Sequence, residues 1–75
     1  MLKYSVCFRQ PEDIASFVNA TSQFDGDIDL VSGRVIVDAK SVMGVAAISK
    51  LDSLQMVVHT DDCPELLEKV APMLV

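Results

Sequence analysis

The sequence predicts an α+β fold: a β-α-β-β-α-β-α open-faced sandwich, with a four-stranded antiparallel sheet covered on one face by three helices. Three observations lead there. Leu2, Tyr4, Val6 and Phe8 alternate with Lys3, Ser5, Cys7 and Arg9, the period-2 signature of a half-buried strand, and three later runs read as strands too. Proline and acidic residues open two helical patterns, at Gln10-Pro11-Glu12-Asp13 and at Asp61-Asp62-Cys63-Pro64-Glu65. Two strand runs are joined by a turn alone, which makes them antiparallel, and a sheet of that kind needs cover on one side only.

The elements follow in order. After the first strand, Ile14, Phe17, Val18 and Phe24 follow helical spacing and should face the sheet, with Asp25-Gly26 ending the helix. Asp27 to Asp38 reads as a hairpin: Ile28 and Leu30 alternate with Asp27 and Asp29, Ser32-Gly33 turns, and Val35, Ile36 and Val37 return. A short helix rich in small residues runs from Val42 to Ile48. Leu54 to Thr60 is a strand with Leu54, Met56 and Val58 on one face. In the last helix Leu66, Leu67, Val70 and Leu74 form the buried stripe, and Pro72 ends or kinks its final turn. No linker, repeat or low-complexity tract interrupts the chain, so residues 1–75 are expected to form one domain.

Seventy-five residues bury a modest core; a chain this short hides only about 60% of its unfolded surface. With three Phe, one Tyr and no Trp, that core must be built from Val, Ile, Leu, Met and Ala. A net charge of −5 argues against nucleic acid and anionic membrane, which both reward Lys and Arg, and it also serves solubility. Met1 to Gln10 lacks the basic start and continuous apolar stretch of a secretory signal, and no run has the length to span a bilayer. Two cysteines without a signal point to free thiols in a reducing, cytoplasmic setting.

Several constellations can be weighed for chemistry. Asp25, Asp27 and Asp29 resemble the start of a calcium loop, but Leu30 stands where such a loop needs Gly and Ile36 where it needs Glu. They fit a turn and the wet face of a strand, and no metal or cofactor is expected. His59 is the only histidine; beside Asp61 and Asp62 it is either a weak base or a strand histidine satisfied by a neighbour, and the second reading is favoured. Cys63 lies near a helix start, which lowers a thiol pKa, but Asp61 and Asp62 oppose that effect; Cys7 and Cys63 are expected to be unbridged packing residues. Ser41, after the β-branched run that stops at Asp38, is placed as the N-cap of the second helix. Unpaired N–H groups and the positive end of the helix dipole favour a phosphate there, although a plain N-cap requires none.

The segment from Gly33-Arg34 through Asp38-Ala39-Lys40-Ser41-Val42-Met43-Gly44 resembles the HPr family, the small phosphocarriers of the bacterial sugar phosphotransferase system. Lys-Ser-Val-Met-Gly is especially like the Gram-positive members. The likeness extends over the whole chain in element order and length, including Phe17-Val18 and Phe24, but only Lys40 to Gly44 is specific. The resemblance implies the same open-faced sandwich. It places Ser41 on the serine that a dedicated kinase phosphorylates from ATP, which governs sugar transport and docking on a transcriptional regulator of catabolite repression. Lys40, Val42, Met43 and Val45 match the adjoining surface that partners recognise.

The family's other phosphate site is missing. Counting back from Phe17, the carrier histidine falls on Gln10, give or take one residue, and a neutral amide forms no phosphoramidate. Glu12 and Asp13 stand where the family supplies a cation, and Arg9 is on the wrong side. A glutamine in place of the histidine with the serine retained is the arrangement of the catabolite-repression (Crh) branch, from which this chain departs by lacking the arginine-proline pair. The expectation is a non-enzymatic regulatory protein that acts through protein partners and is phosphorylated on Ser41. The alternatives are a phosphocarrier using His59 or an unrecognised acceptor, and a relic that binds neither kinase nor regulator.

Overall fold

A computed structural model of the protein covers Met1–Val75. Its elements are β1 (Leu2–Ser5), α1 (Pro11–Ser22), β2 (Ile28–Ser32), β3 (Val35–Asp38), α2 (Val42–Ile48), β4 (Gln55–Val58) and α3 (Pro64–Val70), followed by a 3-10 turn at Ala71–Met73. The strands form one antiparallel sheet in the order β1-β4-β2-β3. α1 packs against both α2 and α3, and the three helices give the α+β open-faced architecture that the periodicities predict.

One face of the sheet supplies the core. Ile28 and Leu30 of β2, Met56 and Val58 of β4, and Leu54 just before it lie buried beneath Phe17 and Ala20 of α1, Val45 and Ile48 of α2, and Leu66 and Val70 of α3. Leu2 and Tyr4 on the same face of β1 are half-buried, as expected of an outer strand. Phe8 meets Phe17 edge to face, with ring centroids 5.2 Å apart at 74°, a geometry worth about 0.5–1.5 kcal/mol beyond area burial. Val57, on the opposite face, is also almost fully buried because β4 is central: its cross-strand partners are Lys3 on one side and Asp29 on the other.

Several boundaries depart from the sequence reading. The hairpin turns on Gly33-Arg34 rather than Ser32-Gly33, since Ser32 pairs with Val35 as the last rung of the ladder. Gly33 takes φ +58 at the first position of this two-residue turn, where glycine carries no steric penalty. α1 stops at Ser22, ahead of Asp25-Gly26, because its end tightens: Gln23 N–H donates to the Ala20 carbonyl and Phe24 N–H to that of Thr21. α3 ends at Val70, before Pro72, which has no N–H to continue the ladder. Leu74 therefore is not part of a helical stripe; it is extended and bridges Val6, while Met73 fills the buried position instead. No helix is long and apolar enough to cross a membrane.

Candidate functional site

The turn between β3 and α2 is held from both sides. Ala39 N–H donates to the Ile28 carbonyl at 3.0 Å, prolonging the hairpin by one rung. The Asp38 carboxylate accepts Lys40 N–H at 2.9 Å, and the Asp38 carbonyl accepts Ser41 N–H at 3.0 Å, so the aspartate that ends the strand also folds the turn. From the helical layer, Thr21 Oγ1 donates to the Ala39 carbonyl at 2.7 Å and Lys40 Nζ donates to the Phe24 carbonyl at 2.7 Å.

Ser41 emerges from this turn as the N-cap of α2, in extended backbone (φ −98, ψ 115). Its Oγ accepts Gly44 N–H at 3.2 Å, and its carbonyl accepts Val45 N–H at 2.9 Å as the first helical bond. The cap uses an oxygen lone pair and leaves the hydroxyl proton free. Gly44 allows a close approach to β3: a Cβ there would stand 3.2 Å from Val37 Cβ and 3.4 Å from Ser41 Oγ. Beside the half-buried serine, Val42 is 53% exposed and Met43 82% exposed.

Two of the other expected surface residues behave differently. Val45 is fully buried, because the third helical position after Val42 turns inward onto the core, so it cannot meet a partner directly. This corrects its assignment to the recognition surface. Lys40 is half-buried, and its ammonium is committed to the Phe24 carbonyl rather than projecting beside Ser41.

At the other implied site, Gln10 is the N-cap of α1, and the helix start is occupied by the chain's own carboxylate. Asp13 accepts Arg9 N–H at 2.9 Å and Gln10 N–H at 3.3 Å. Arg9 turns away, with Nη1 donating to the Pro72 carbonyl at 2.9 Å. An anion arriving there would have to displace Asp13 and would find no nucleophilic nitrogen on Gln10.

His59 pairs not with its sequence neighbours but with Asp29, thirty residues away, through Nε2 and Oδ2 at 2.9 Å. Asp29 is itself the cross-strand partner of Asp38. Asp27, Asp29, Asp38, Lys40 and His59 thus border one shallow depression at an end of the sheet. No group of three His, Cys, Asp or Glu side chains is arranged to hold a metal ion. Cys63 is buried as the N-cap of α3, and Cys7 is exposed, against the expectation that both pack. Sequence reasoning missed Thr21, whose helical position resembles any other polar one until the fold brings Ala39 to it.

Fold and site together define a small open-faced α+β protein that presents a serine-capped helix with an exposed apolar first turn. No family model matches the chain, and no curated protein or solved structure matches it.

Proposed function

We propose that this chain is an HPr-like cytoplasmic regulatory protein, phosphorylated on Ser41, that acts by binding protein partners and lacks histidine phosphocarrier chemistry. The observation that carries the reading is the Lys40-to-Gly44 motif on a rigidly held turn, with a capped serine beside exposed Val42 and Met43. A phosphate on Ser41 adds about −1.5 to −2 charges next to an apolar contact surface, and so changes which partner that surface fits. The partners implied by the motif are an HPr kinase and a transcriptional regulator of catabolite repression. The occupied start of α1, with Gln10 and Asp13, supports loss of the carrier function.

The phosphocarrier alternative has less support. His59 is the one histidine, and it sits among Asp27, Asp29 and Asp38, whose carboxylates repel an incoming phosphoryl group.

Intact mass spectrometry after incubation with ATP and an HPr kinase, beside Ser41→Ala, tests the proposal. One phosphate on the wild type and none on the variant is the expected result. An unmodified wild type, or a variant that is still labelled, overturns it. Acid-labile labelling from phosphoenolpyruvate and enzyme I would favour the carrier reading instead.

A further inference from the structure

The two outer strands of the sheet are finished differently. β1 carries Lys3, and its end is overlaid by the C-terminal residues: Cys7 N–H donates to the Met73 carbonyl at 2.8 Å and Val75 N–H to the Ser5 carbonyl at 3.0 Å. Along β3 only the Asp38 end is engaged, its carbonyl by Ser41 N–H, and the rest of the edge is uncovered. The strand reads Val-Ile-Val-Asp, without the lysine, proline or bulge that usually blunts an edge, and Val35 is 43% and Ile36 64% exposed.

Which groups face outward follows from the hairpin. A two-residue turn closes on a hydrogen-bonded pair, here Ser32 and Val35, and such pairs alternate along the ladder. Val35 and Val37 therefore direct N–H and C=O toward β2, and the bond from Ala39 N–H to the Ile28 carbonyl continues the same parity. Ile36 and Asp38 direct theirs away from the sheet, with the Asp38 carbonyl already accepting Ser41 N–H through one lone pair, and their side chains share its helix-free face. Arg34, in the turn, sends its carbonyl the same way because Val35 N–H points inward.

The edge is complementary to itself. If a second copy aligns antiparallel with Ile36 opposite its own Ile36, each Arg34 falls opposite the second copy's Asp38. Outward backbone groups then meet outward groups, the two isoleucines touch, and an ion pair flanks them on each side. Shifting the register by two residues in either direction sets Ile36 against a charged residue and breaks both ion pairs. The side chains are available: Arg34 makes no hydrogen bond or ion pair within the chain, and Asp38 spends only Oδ1, on Lys40 N–H. We propose that the β3 edge is a homodimer interface, in which two copies pair antiparallel about Ile36 and join their sheets into one. The short strand makes this a weak, concentration-dependent dimer. The proposal is independent of Ser41 phosphorylation.

Sedimentation equilibrium from micromolar to millimolar protein tests it. The wild-type mass should rise toward twice the chain mass, and Ile36→Lys should remain monomeric with an unchanged circular dichroism spectrum. Arg34→Glu and Asp38→Lys should each remain monomeric alone, since each self-pair opposes like charges, yet associate when mixed, because the mixed pair restores both ion pairs. Asp38→Asn, which keeps an acceptor for Lys40 N–H, should weaken association if Asp38→Lys fails to fold. A wild type that stays monomeric overturns the proposal and leaves the edge to an extended peptide of another protein. Dimerisation of Ile36→Lys equal to wild type, or a mixture of the two charge variants that does not associate, overturns it as well.

Discussion

Thr21 Oγ1 donates to the Ala39 carbonyl at 2.7 Å, and both residues are fully buried. The Val18 carbonyl also lies within reach at 3.1 Å, but a hydroxyl has one proton and the shorter contact takes it. This bond ties α1 to the turn that presents Ser41. Thr21→Val keeps the side-chain volume and removes the proton, leaving the Ala39 carbonyl buried and unpaired, which costs about 1–3 kcal/mol. In urea titration the midpoint should fall with an unchanged slope, and Thr21→Ser, which keeps the hydroxyl, should lose less. A Thr21→Val midpoint equal to wild type would show that the tie does not hold the turn.

The two cysteines should differ sharply in reactivity. Alkylation requires a thiolate and access to it. Burial pushes the Cys63 thiol pKa up and Asp62 adds to the effect, while the nearby Tyr4 hydroxyl partly opposes it. Raising a thiol's pKa lowers its thiolate fraction at any pH below that value, so access and ionisation act together against Cys63. Cys7 is exposed. Iodoacetamide at neutral pH should therefore place its adduct on Cys7 alone, with Cys63 labelled only after denaturation. Peptide mapping that finds Cys63 alkylated as fast as Cys7 in the folded protein would contradict the burial.

Much of this architecture is legible in local pattern. The α2 bounds, the buried face of β4 and the proline start of α1 each rest on periodicity or on a residue whose backbone chemistry admits few alternatives. What escapes local reading is set by neighbours distant in sequence. Val57 looks like the wet face of a strand until β4 proves central, and Leu74 fits a helical stripe until Pro72 ends the ladder and Val6 offers a strand partner. The same limit divides the Ser41 region. Its N-cap is encoded locally, but the burial of Val45 and the capture of the Lys40 ammonium by Phe24 depend on how α1 and α2 pack. A recognition surface read from a motif is thereby reduced to the residues that remain outside, Val42 and Met43.

The Ser41 cap sets how variants at this position should be interpreted. Ser41→Ala removes the acceptor for Gly44 N–H and should destabilise the protein by about 1 kcal/mol, within the usual range for a lost N-cap. Ser41→Asp supplies an equivalent acceptor and places negative charge at the helix start, so its stability should match or exceed that of wild type. Thermal unfolding by circular dichroism distinguishes the two. With this pattern, a missing phosphate on Ser41→Ala reports loss of the acceptor hydroxyl, because a chain weakened by so little remains folded under assay conditions. If Ser41→Asp is the less stable of the two, the serine is not acting as a cap in solution, and the ordered turn that supports the phosphorylation proposal loses its basis.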